Sequence, residues 1–89
     1  MEADVNAIRA VVRGFILDRF YVPHPDRLAD DASLLETGVV DSTGVLEVIG
    51  FLEEEFQIRV ENGEILPENL DSVERLARFV RQKVDAARG

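Results

Sequence analysis

Cysteine and tryptophan are absent from this chain of 89 residues, and His24 is its only histidine. Without cysteine there is no disulfide framework and no thiolate metal site. One histidine excludes a His-rich metal centre and leaves a His-dependent nucleophile without its usual surroundings. The six glycines are scattered, so there is no glycine-rich phosphate loop. No apolar run approaches the ~20 residues that span a bilayer. The start Met1-Glu2-Ala3-Asp4 is acidic and lacks the basic opening of a signal peptide. A cytoplasmic protein without membrane insertion is expected. The length predicts one domain over residues 1–89. A chain this short buries only about 60% of the surface its unfolded form exposes, so it holds one modest core and no deep cleft.

What the chain has in excess is negative charge: 18 Asp and Glu against 10 Lys and Arg, a net of −8. Such a surface repels phosphates, and nucleic acid is not expected as a partner. Between Asp30 and Glu64 stand ten acids and one base, Arg59, a net of −9. The remainder, eight acids and nine bases, nets +1. The middle segment therefore carries the whole excess. A patch of this kind steers basic partners, and it also keeps a small domain soluble.

Apolar residues recur at helical spacing, and strand alternation is scarce. Asp4 can cap a first helix running to about Phe20, with Val5, Ile8, Val12, Phe15 and Ile16 facing inward. Tyr21-Val22-Pro23-His24-Pro25 stops it. A long connection to about Asp41 follows, pinned by Leu28, Leu34 and Leu35, with Gly38 permitting a turn. A second helix is predicted over 42–55. Val45, Val48, Ile49, Leu52 and Phe56 share one face; Thr43, Leu46, Glu47, Gly50 and Glu54 share the other. Residues 56–60 alternate briefly, and a loop burying Ile58 and Val60 is favoured over a strand. Pro67 suits the start of a short helical turn to Leu70. Asp71 is read as the cap of a last helix running to about Ala86, with Glu74 completing a capping box. There Val73, Leu76, Phe79, Val80 and Val84 point inward, and Arg75, Arg78, Arg81 and Lys83 outward. Three substantial helices, one short one and a long loop describe a small all-α bundle.

Asp41-Ser42 is the constellation with chemical promise. A serine at a helix N-terminus lies near unpaired backbone N–H groups, and a phosphate attached there meets those donors and the positive end of the helix dipole. The dipeptide alone favours a plain helix cap, and Asp71-Ser72 precedes a helix too. Only Ser42 follows a glycine-containing loop and opens a helix dense in acids. Other readings fail. An EF-hand counted from Asp30 would need a ligand and a glycine where Leu34 and Leu35 stand. Consecutive helical acids Glu53-Glu54-Glu55 point in different directions and read as a solvated face. His24, between two prolines, has no visible partner. No nucleophile–base pair emerges, so no enzyme and no metal site is expected.

Leu34-Leu35-Glu36-Thr37-Gly38-Val39-Val40-Asp41-Ser42, then Leu46-Glu47-Val48, then Leu52-Glu53-Glu54-Glu55-Phe56-Gln57-Ile58, resembles the acyl carrier protein family over essentially the whole chain. The resemblance implies an up-and-down four-helix bundle with a short third helix and a long loop between helices 1 and 2. It implies that Ser42 receives 4′-phosphopantetheine from a phosphopantetheinyl transferase, which Asp41 helps to dock. The arm's thiol would carry an acyl or aminoacyl group as a thioester. Thr43, Leu46, Glu47, Gly50 and Glu54 would meet partner enzymes: an acyl- or aminoacyl-adenylating ligase and a downstream transferase or synthase. A monomer is expected.

Thr43 stands where carriers of primary fatty acid synthesis usually have leucine, and Gly44 makes the motif Asp-Ser-x-Gly, which is similar to aminoacyl carriers. Gly50 replaces a larger apolar residue. These departures favour a specialised pathway. Val48, Ile49, Leu52, Leu76 and Phe79 could line a space for a fatty chain or form a closed core. The rival reading is an acidic helical module that binds a basic protein and carries no prosthetic group. A small hydrolase using Ser42 and His24 is the third.

Overall fold

The computed structural model of the chain describes residues 4–88. The acidic start at residues 1–3, and Gly89, lie outside the described residues. Four helices and no strand are present among the described residues: α1 (Val5–Arg19), α2 (Ser42–Phe56), α3 (Pro67–Leu70) and α4 (Val73–Arg88). Short 3-10 turns cover Pro25–Arg27 and Asn62–Glu64. The order and type of the elements are those expected, and the fold is an all-helical bundle.

Several helix ends have a local cause. Asp4 Oδ1 accepts the N–H of Asn6 at 3.0 Å and opens α1, satisfying one donor that the first turn leaves unpaired. Phe20 closes it through its N–H to the Ile16 carbonyl, and Pro23 lies just beyond. Gln57 ends α2 in the left-handed region, at φ 55°. Pro67 occupies the first position of α3, where its missing N–H costs nothing.

The core forms where the apolar stripes meet. Ile8, Val12 and Ile16 of α1 face Val73, Leu76, Ala77 and Val80 of α4, and Val48, Ile49 and Leu52 of α2 join them. Burial of one such aliphatic side chain contributes roughly 1.5–3 kcal/mol. A row of aromatic rings links α1 to α2: Phe15 stacks on Phe51 with centroids 3.9 Å apart, Phe20 meets Phe15 edge-on, and Phe56 meets Phe51 edge-on. The residues 58–60 form a loop, as expected, with Ile58 and Val60 half-buried against the core.

The long connection is tied down by polar bonds as much as by leucines. Leu28 and Leu34 are buried, but Leu35 is 43% exposed, so it does not act as the third pin. Its place is taken by Arg13, whose guanidinium donates to the carbonyls of Leu28 and Pro25, each at 2.7 Å, and to Asp30 Oδ1. The Asp30 carbonyl in turn accepts the N–H of Glu74 in the first turn of α4, at 2.8 Å.

The α4 cap differs from the reading above. Ser72 is the cap: its Oγ accepts the N–H of Arg75 at 3.0 Å. Asp71 instead holds the loop, accepting Leu35 N–H on Oδ1 and the Ser33 hydroxyl on Oδ2. The Glu74 carboxylate turns to Arg9 and Arg78 and does not complete a capping box. Two further side chains differ. Lys83 is half-buried and donates to Glu64 Oε1 at 2.9 Å. Glu53 accepts the Val60 N–H at 2.9 Å, so only Glu54 and Glu55 of the triplet are solvated.

Candidate functional site

The approach to α2 is shaped by the loop before it. Ser33 starts a helical turn, its Oγ accepting Glu36 N–H and its carbonyl accepting Thr37 N–H. Gly38 ends that turn at φ +77°, a conformation that strains any side chain. The chain then doubles back, and the Val40 N–H donates to the Leu34 carbonyl. Val40 is buried, which anchors the residue immediately before the Asp-Ser pair.

At α2 the pair divides its duties. Asp41 is the cap, and its Oδ1 accepts the N–H of Gly44 at 2.7 Å. Its carbonyl accepts Val45 N–H at 3.0 Å, the first bond of the helix. Ser42 is the first helical residue and is exposed. Its hydroxyl makes no hydrogen bond among the described residues, and neither do the N–H groups of Ser42 and Thr43. Two donors and one hydroxyl therefore face solvent at the positive end of a 15-residue helix, an arrangement suited to a phosphodiester.

The second Asp-Ser pair acts as an internal control. Ser72 is 2% exposed and uses its hydroxyl as the cap, while Asp71 looks away to the loop. The roles are exchanged: where aspartate caps, serine is free; where serine caps, it is sealed. Sequence reading separated the two by context but could not see the exchange.

Gly44 is buried beneath the ring of Phe20. The importance of Phe20 at this site was missed, because nothing in the spacing joins the end of α1 to the first turn of α2.

Thr43, Leu46, Glu47, Gly50 and Glu54 are all exposed on one face of α2, with Leu46 at 67%. Glu47 is paired with Arg19 at 3.2 Å. Beside them runs a groove of about 450 Å³ lined by Phe15, Arg19, Glu47, Gly50, Phe51, Glu54 and Glu55. The acidic patch is smaller than its residue count. Asp30 is paired with Arg9 and Arg13, and Glu64 with Lys83. Val48, Ile49, Leu52, Leu76 and Phe79 are packed as core. An apolar groove of about 200 Å³ lies instead beside the start of α2, lined by Leu34, Leu35, Val40, Val45, Ile65, Leu66, Pro67, Leu70 and Asp71.

Two carboxylates away from the site have shifted acidities. Glu74 lies below its ordinary value, chiefly because Arg9 donates to it. Glu64 is lowered chiefly by the Glu61 N–H and next by Lys83. Among the described residues no group of three or more His, Cys, Asp or Glu side chains could hold a metal, and no helix is long and apolar enough to cross a membrane.

Comparison with known proteins gives one family. The family model for the phosphopantetheine attachment site matches residues 10–80. No curated protein matches. The chain belongs to the phosphopantetheine-binding, acyl carrier protein family. Its members carry 4′-phosphopantetheine covalently on a serine and serve as carriers, not as enzymes.

Proposed function

We propose, from this membership, that Ser42 is the attachment serine and that residues 1–89 work as one monomeric carrier domain. The observation that carries the assignment is the state of the three hydroxyls in the chain's serines. Ser33 donates to Asp71 and Ser72 caps α4; Ser42 alone is both exposed and unbonded among the described residues. In the transfer, Ser42 Oγ forms a bond to phosphorus and loses its proton as adenosine 3′,5′-bisphosphate leaves coenzyme A. Asp41 holds the first turn of α2 so that the hydroxyl stays outward, and it lies beside the serine for the phosphopantetheinyl transferase to engage. When attached, the arm supplies the thiol that a cysteine-free chain lacks and holds cargo as a thioester.

The exposed face formed by Thr43, Leu46, Glu47, Gly50 and Glu54 receives partner enzymes: the transferase, an acyl- or aminoacyl-adenylating ligase, and a downstream transferase or synthase. Thr43, Gly44 and Gly50 support a specialised pathway over housekeeping fatty acid synthesis. The carrier is expected to work in the cytoplasm, where coenzyme A and ATP are available.

The test is intact-mass spectrometry after incubation with a phosphopantetheinyl transferase and coenzyme A. The wild-type chain gains the mass of one phosphopantetheine, and Ser42→Ala gains none. Equal modification of the alanine variant overturns the assignment.

A further inference from the structure

Gly44 is the third residue of α2, and its φ is not in the left-handed region. Backbone freedom does not explain it. Space does. A β-carbon at Gly44 would lie 2.8 Å from Phe20 Cε1, 3.2 Å from Val40 Cγ1 and 3.3 Å from Asp41 Oδ1. The first of these distances is an overlap that packed protein does not tolerate. The comparable helical glycines Gly14 and Gly50 have nothing within 4 Å of that position.

Something must move if Gly44 acquires a side chain, and the surroundings decide what. The Phe20 ring is backed by Phe15, which is stacked on Phe51, which meets Phe56. Retreat of Phe20 costs it the edge-on contact with Phe15. The opposing side is the first turn of α2, where Ser42 and Thr43 are exposed and the holding bonds are Asp41 Oδ1 to Gly44 N–H and the Asp41 carbonyl to Val45 N–H. The turn carrying Ser42 is the softer partner. We infer that Gly44 is the seat for the Phe20 ring, and that this ring is a positioning element that holds the first turn of α2, and with it the Ser42 hydroxyl, in the orientation that accepts phosphopantetheine. Neither Gly44 nor Phe20 touches the reacting atoms; both act through the Asp41 cap. The inference rests on the reading of Ser42 as the attachment site.

The experiment compares the full-length wild type with Gly44→Ala, Phe20→Leu, the double variant and Gly14→Ala. It measures transfer from coenzyme A, with kcat and KM separated, together with hydrogen exchange of the residue-44 amide. A misplaced nucleophile loses rate after docking, so Gly44→Ala lowers kcat about tenfold or more with KM nearly unchanged. Its residue-44 amide also exchanges faster, because the bond to Asp41 is broken. Leucine at position 20 has no ε-carbon, so the double variant recovers both quantities to near wild type. Gly14→Ala changes neither. Transfer to Ser42 in Gly44→Ala at the wild-type rate, or a double variant no faster than Gly44→Ala, overturns the inference. If Gly44→Ala does not fold, a folded double variant supports the seat and an unfolded one refutes it. If the wild type is modified at another serine, the reading of Ser42 fails and the role in transfer falls with it, while amide exchange still reports whether the seat exists.

Discussion

Ser33, Ser42 and Ser72 share a side chain and differ in everything around it. A hydroxyl is a weak nucleophile until a partner enzyme activates it, so what a carrier serine contributes is access. Ser72 is enclosed, Ser33 is engaged by Asp71, and Ser42 is neither. The aspartates before Ser42 and Ser72 differ in the same way, and that difference is measurable. Asp41→Ala removes one part-buried capping bond and should cost about 1 kcal/mol. Asp71→Ala loses two bonds, from Leu35 N–H and from the Ser33 hydroxyl, and should cost more, about 2 kcal/mol. Urea denaturation checks the order; an Asp41→Ala chain less stable than Asp71→Ala contradicts it. Transfer to Ser42 should slow in Asp41→Ala and persist in Asp71→Ala. Sequence alone separated the two pairs by their neighbours, since glycine and acids flank one and arginines follow the other. It could not tell which member of each pair caps, because that depends on whether a distant loop needs the aspartate.

At the scale of elements, helical periodicity was a sufficient guide. The stripes of α1, α2 and α4 are long and regular, and their boundaries carry caps and prolines that local chemistry explains. The loop from residue 21 to residue 41 was legible only in part. Its leucines were visible, but Arg13 crosses from α1 to hold three loop oxygens, a contact with no local signature. The outer face of α2 was read correctly as exposed, while its charge was overstated, because Arg19 reaches Glu47. If that face steers partners, reversing charge there should slow loading without unfolding the chain. Glu47→Lys with Glu54→Lys should lower the second-order rate with a basic partner enzyme several-fold, and raising salt should shrink the difference between variant and wild type. Rates indifferent to both changes would rule out steering by this face.

The whole molecule has a radius of gyration of 12.3 Å, close to the ~12 Å of a compact chain of this length. Its charge is divided between an acidic middle and near-neutral flanks; Arg9 pairs with Glu74 across the two flanks, and Lys83 of the C-terminal flank pairs with Glu64 of the middle. Both carboxylates are lowered from their ordinary value of 4.5. A group whose folded pKa lies below its unfolded one stabilises the fold fully above the unfolded value, and this contribution fades as pH falls through the folded value. The contribution of these two pairs should therefore be constant down to about pH 5 and decline below it. Glu74→Gln should be less stable at neutral pH and lose less on acidification than the wild type. Urea midpoints measured from pH 7 to pH 3 check this, and parallel curves would contradict it. These pairs tie together the bundle, and the proposal that it presents the Ser42 hydroxyl can be tested directly. Fragmentation mass spectrometry of the transferase-modified chain locates the added group among three serines. The account predicts phosphopantetheine on Ser42 alone; the group on Ser33 or Ser72 would contradict it.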